Sequence, residues 1–130
     1  MMALFISAVL AIAAISGELS TYSLSVPLES HYRTIEFENI TVLIEKMPLG
    51  QYVSVSGMIS RTGSDYISNK ARVYKQFFLT DGANEIKVFC LYRGEILNLT
   101  AGNRIFVTGR MQKYYDTIEI YTDCSNINAI

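Results

Sequence analysis

The stretch Lys75 to Tyr92, KQFFLTDGANEIKVFCLY, constrains the fold of this chain more than any other, because two alternating runs flank a turn. Phe77 and Leu79 alternate with Gln76, Phe78 and Thr80. Asp81-Gly82-Ala83-Asn84 then supplies residues that tolerate positive φ, and Ile86, Val88 and Cys90 alternate with Lys87, Phe89 and Leu91. A period of two gives each strand one face for a core and one face for something else. The same period recurs on both sides of the hairpin. In Gln51 to Arg61, Val53, Val55, Gly57 and Ile59 share one side, with Ser54, Ser56, Met58 and Ser60 on the other. In Arg104 to Tyr114, Ile105, Val107, Gly109 and Met111 face one way, and Ile118, Ile120 and Thr122 alternate along a fifth run.

The connections are read from their turn residues. Thr62 to Ala71, TGSDYISNKA, is a loop, and Tyr115-Asp116-Thr117 turns the fourth strand into the fifth. Arg93 to Asn103, RGEILNLTAGN, predicts a short helical turn between strands three and four, with Gly102 suited to a left-handed cap. Upstream, Thr34 to Phe37 suits a strand. Asn39 to Met47, NITVLIEKM, is open between a strand, for its β-branched residues, and a short helix capped by Asn39 or Thr41, with Pro48-Leu49-Gly50 stopping either. Mid-strand Gly57 suits a strand that coils sharply between two halves of a small barrel, or a simple bulge.

Taken together, Val53, Val55, Gly57 and Ile59, then Phe77, Leu79, Asp81 and Gly82, Ile86 and Val88, and finally Leu99, Gly102, Ile105, Val107, Gly109 and Arg110 resemble the spacing of the OB-fold nucleic-acid-binding family. The resemblance covers residues 34–124. It implies an all-β, five-stranded barrel, with a short helix before the first strand closing one end and binding loops at 62–71 and 112–117. It implies also that the third and fifth strands are parallel neighbours, which places Cys90 and Cys124 close enough for a disulfide, or leaves them as two buried thiols in a reducing compartment. Function has to be argued from the site, since such barrels bind oligonucleotides, oligosaccharides or proteins.

Residues 2–16, MALFISAVLAIAAIS, are uncharged and almost wholly apolar. At about 15 residues the run is short for a spanning helix. Residues 1–17 therefore read as a cleaved signal peptide, a retained membrane anchor or a buried first helix, and no Lys or Arg precedes them to set an orientation. Either of the first two gives a membrane or extracytoplasmic location. Residues 18–33 read as a linker, which carries the lone His31, and 125–130 as a C-terminal tail. Asn39-Ile40-Thr41 and Asn98-Leu99-Thr100 are sequons, so Asn39 and Asn98 are candidate glycosylation sites in an exported chain.

The net charge of −1 excludes a uniformly basic nucleic-acid binder, but the charge is unevenly spread. Residues 60–113 hold nine basic and four acidic groups, +5, whereas 1–59 and 114–130 each sum to −3. No second His, zinc-spaced cysteine pair, phosphate loop or nucleophile–base set is present, so the chain reads as a non-enzyme without cofactor or metal. If the apolar faces of the hairpin point inward, its other side presents Arg72, Tyr74, Gln76, Phe78, Lys87 and Phe89, with Tyr66, Arg110, Lys113 and Tyr114 on the flanking loops. Cations for phosphates beside flat rings for bases is the combination of single-strand binders, whether the ligand is DNA or RNA. Aromatic residues on an outer face equally serve cross-strand packing, so a protein- or glycan-binding surface, or a structural subunit of a surface assembly, is the alternative.

Overall fold

A computed structural model describes residues 33–130. The export or anchor segment 1–17 and the linker with His31 lie outside them, apart from Arg33. Five strands form the barrel: β2 (Tyr52–Thr62), β4 (Val73–Thr80), β5 (Glu85–Tyr92), β6 (Arg104–Tyr114) and β7 (Thr117–Asp123), preceded by a two-residue β1 (Ile35–Glu36) and interrupted by a two-residue β3 (Tyr66–Ile67). β2 pairs antiparallel with both β4 and β6, β4 with β5, and β6 with β7, while β5 and β7 run parallel. The ring β2-β4-β5-β7-β6 returns to β2, so the sheet shuts on itself as the resemblance implies, and each barrel strand has a barrel partner on both sides.

The inward faces are those of the sequence pattern. Val53, Val55, Ile59, Phe77, Leu79, Val88, Cys90, Val107, Met111 and Ile120 are fully buried, with Ile86 and Ile105 nearly so. β2 serves two partners in succession: Tyr52 to Met58 face β6, and Met58 to Thr62 face β4. Gly57 lies at this crossing, where a Cβ would come within 2.9 Å of the Thr80 carbonyl oxygen, and the bulge falls three residues later at Ser60. Gly109 is tighter still, with its virtual Cβ 2.7 Å from both the Tyr121 carbonyl oxygen and the Thr122 Cβ. Both glycines therefore mark close backbone approach and not a turn.

Asn39 to Met47 resolves as helix α1 (Ile40–Lys46). The Asn39 side chain accepts a hydrogen bond from the Val42 amide at 2.8 Å, and Ile40 and Leu43, three apart on one face, are fully buried in the barrel core beside β2 and β5. Local capping plus apolar spacing thus outweighs the β-propensity of Ile and Val. Asn39, a candidate glycosylation site, has this capping task, whereas Asn98 is exposed.

Two expectations need correction. No helix forms between Arg93 and Asn103, although Gly102 does take a positive φ of 99°. Polar side chains there bond locally instead: the Arg93 amide donates to Glu95 at 2.8 Å, Thr100 Oγ1 to Asn98 Oδ1 at 2.6 Å, and Asn103 Nδ2 to the Asn98 carbonyl at 3.0 Å, which competes with helical bonding. The C-terminal residues 125–130 are not a loose tail. After a 3-10 turn (Cys124–Asn126), β8 (Ile127–Ala129) pairs antiparallel with β6 from Ile105 to Val107 and buries Ile127. The part of β6 that β7 does not reach supplies the edge that this strand completes. Cys90 and Cys124 are joined by a disulfide with Cα atoms 4.9 Å apart, as the parallel placement of strands three and five implies.

Candidate nucleic-acid interface

The outer face of β4, β5 and β7 floors a cleft of about 290 Å³, bounded on one side by the hairpin of β3 and on the other by the β6–β7 turn. Its floor is aromatic because alternate residues of adjacent strands share a side. Tyr74 and Phe89 stack with ring centroids 4.7 Å apart, and Phe89 stacks in turn near Tyr121 at 6.2 Å. Tyr66 reaches over from β3 to within 6.0 Å of both Tyr74 and Phe89, which its pairing opposite Tyr74 dictates. On the far rim Tyr114 packs edge-on against Tyr115 at 4.6 Å. Tyr115 takes φ 55° at the hairpin tip, a left-handed conformation that a bulky side chain rarely adopts.

Polar groups line the same cleft. Gln112 Nε2 donates to Glu119 Oε2 at 2.6 Å, and Lys87 Nζ stands 3.8 Å from Glu119 Oε1 and 5.6 Å from the centre of the Phe89 ring. Glu119 is 3% exposed, which its position opposite Lys87 and Gln112 on the two neighbouring strands explains. Burial, and then Tyr74 beside it, push the Tyr121 hydroxyl above its ordinary value, with Arg72 opposing. Tyr115, followed by lesser contributions that include Tyr66 and Glu119, raises Tyr114 likewise. Both phenols therefore remain neutral donors at pH 7.

Of the residues singled out from the sequence, Tyr66, Tyr74, Gln76, Lys87, Phe89 and Tyr114 line this cleft together. Arg72 stands at its margin, close enough to act on Tyr121, and Arg110 is exposed one strand away, 5.9 Å above the Tyr52 ring. Phe78 does not join the set. The bulge at Ser60 brings Arg61 opposite it, and the guanidinium covers its ring at 3.7 Å while pairing with Glu85 at 2.9 Å. Lys113 also departs, since it shares the inward register of Met111 at the barrel end. Tyr121, Gln112 and Glu119 were not singled out. They are the alternate members of strands read by their apolar residues, and reading the other half of each run finds all three.

A larger cleft, about 460 Å³, lies under residues 94–99 but offers little to a base, because the Lys75 ammonium already sits 4.6 Å over Tyr92 and pairs with Asp65 at 2.9 Å. Among the described residues no cluster of His, Cys, Asp and Glu could hold a metal ion, and no helix is long and apolar enough to cross a membrane.

No protein-family model matches the chain, and no curated protein matches it either. Solved structures do. A domain of replication protein A from Methanococcus maripaludis is similar at a TM-score of 0.58 and 16% identity, over 74% of this chain and 96% of that one. The second OB-fold domain of replication protein A from the same organism gives 0.52 and 17%, over 63% and 86%. An OB domain from Thermoplasma acidophilum gives 0.53 and 18%, over 75% and 86%. At such identities the likeness is one of fold, and the barrel of this chain is an OB fold.

Proposed function

We propose that this domain binds single-stranded nucleic acid across the outer face of β4, β5 and β7. The observation that carries the reading is the convergence of Tyr66, Tyr74, Phe89, Tyr114 and Tyr121 on one cleft, with Lys87 inside it and Arg72 and Arg110 beside it. Rings exposed at the rim stack bases at roughly 1 to 3 kcal/mol each, and the cations hold the backbone. That two of the similar folds are domains of a replication protein supports the same reading. Two to three phosphate contacts would give a salt slope of about −1.4 to −2 in a log–log plot for a single strand. Fluorescence anisotropy with a labelled oligothymidylate at several salt concentrations tests this. Binding that ignores salt, or no binding, overturns the reading.

A second reading, a glycan-binding face, is favoured by the buried Glu119 carboxylate, held by Gln112 among the rings, since hydroxyl-rich ligands need acceptors more than cations. Salt-independent binding to an oligosaccharide array is its mark. The Cys90–Cys124 bridge supports work in an oxidising compartment, and with it an export or anchoring role for residues 2–16. Protection from protease in intact cells that is lost on permeabilisation would place the domain inside.

A further inference from the structure

A carboxylate at the floor of a cleft that attracts a polyanion calls for an explanation, and the base edge provides one. Glu119 is almost wholly enclosed yet lines the cleft, and only one of its roughly four acceptor positions is taken by Gln112. Lys87 at 3.8 Å neutralises it without reaching hydrogen-bond distance, so the pair offers acceptor capacity beside a positive donor. Guanine presents two adjacent donors, N1–H and the N2 amino group, next to the O6 acceptor. Adenine and cytosine each place one donor beside an acceptor, and thymine sets its single N–H between two carbonyls, so each would turn a lone pair toward the carboxylate.

From this juxtaposition we infer that the cleft is selective for guanine in a single strand: Glu119 accepts from N1–H and N2–H, Lys87 donates to O6, and the exposed rings of Tyr66 and Tyr114 supply the stacking faces. The inference rests on the single-strand reading and gives it a base specificity. It also accounts for Gln112, whose short bond to Glu119 Oε2 holds the carboxylate plane in place. A site for backbone alone would have no use for this arrangement.

The test uses the full chain and four labelled oligothymidylates of equal length that differ at one central position, carrying dT, dA, dC or dG. The dG strand is expected to bind about tenfold more tightly than the other three. In Glu119→Gln the four affinities should draw together to within about twofold, because an amide offers only one acceptor atom to the two donors. In Lys87→Met every strand weakens and the dG preference shrinks. Should Glu119→Gln fail to show a cooperative thermal transition, Lys87→Met decides alone, and an undiminished dG preference in it overturns the assignment. Equal affinity of the wild-type protein for all four strands overturns guanine selectivity and leaves the single-strand reading intact, whereas no binding to any strand overturns both.

Discussion

Asp81 joins two parts of the chain that lie 40 residues apart. Its Oδ2 accepts from the Thr41 amide at 2.8 Å and the Thr41 hydroxyl at 2.7 Å, while its Oδ1 accepts from the amides of Ala83 and Asn84 at 2.9 Å each. One carboxylate therefore closes the β4–β5 turn and caps the start of α1. Partial desolvation disfavours its charge, but the bonds from Thr41, Asn84 and Ala83 outweigh that and hold the carboxyl well below the usual range. Since the folded state lowers the pKa, the contribution is present above the unfolded value, roughly 3.9, and is lost as pH falls below it. Asp81→Ala should destabilise by about 1 kcal/mol at pH 7, near the lower half of capping effects because the group is exposed and screened. Denaturant melts of the two proteins should converge as the pH is taken from 5 to about 2, and a constant gap would show that the charge plays no part. At the interface, Phe89→Ala should weaken single-strand binding by roughly 1 kcal/mol or more, whereas Phe78→Ala should change it far less because Arg61 already covers that ring. Equal losses in anisotropy titrations would return Phe78 to the site.

At the scale of the strands, the inward faces were legible because burial imposes a period of two, and Phe77, Leu79, Ile86, Val88, Val107 and Met111 follow it without exception. The position of the break in register was not legible: Gly57 allowed a bulge in this strand but the shift falls at Ser60, and it is this bulge that sets Arg61 over Phe78. Residues 93–103 misled for another reason, since a glycine-terminated run with Leu97 and Leu99 looks helical until Asn98, Thr100 and Asn103 bond to one another. Tyr121 belongs to the outward half of a strand whose period is marked by the inward Ile118 and Ile120. Gly109 tests the packing of β6 on β7. A methyl there would meet backbone oxygen and two β-branched side chains at 2.7 to 2.8 Å, none of which is a flexible chain end. Gly109→Ala should therefore lower stability by about 1 to 3 kcal/mol, as overpacked cores do, and an unchanged melting temperature would mean that the strands can part at no cost.

For the whole molecule the covalent tie matters most. Cys90 and Cys124 are 34 positions apart, so their bridge removes roughly 3 to 4 kcal/mol of loop-closure freedom from the unfolded chain, a large part of a small domain's stability. Reduction with dithiothreitol, or Cys124→Ser, should lower the melting temperature strongly. A free-thiol titration of the unreduced, unfolded protein that finds two thiols would show that no bridge forms.

The bridge also stands behind the cleft. Cys90 follows Phe89 directly and Cys124 follows Tyr121 by three residues, so the tie fastens β5 to the turn that ends β7, from the core side and next to the rings that face out. Their spacing is set before any ligand arrives. A ligand that docked there would meet a preorganised surface and lose little affinity to ordering it. Oxidised and reduced protein then share every contact residue and differ in how much of the rigidity precedes the encounter, a difference that appears first in the dissociation rate.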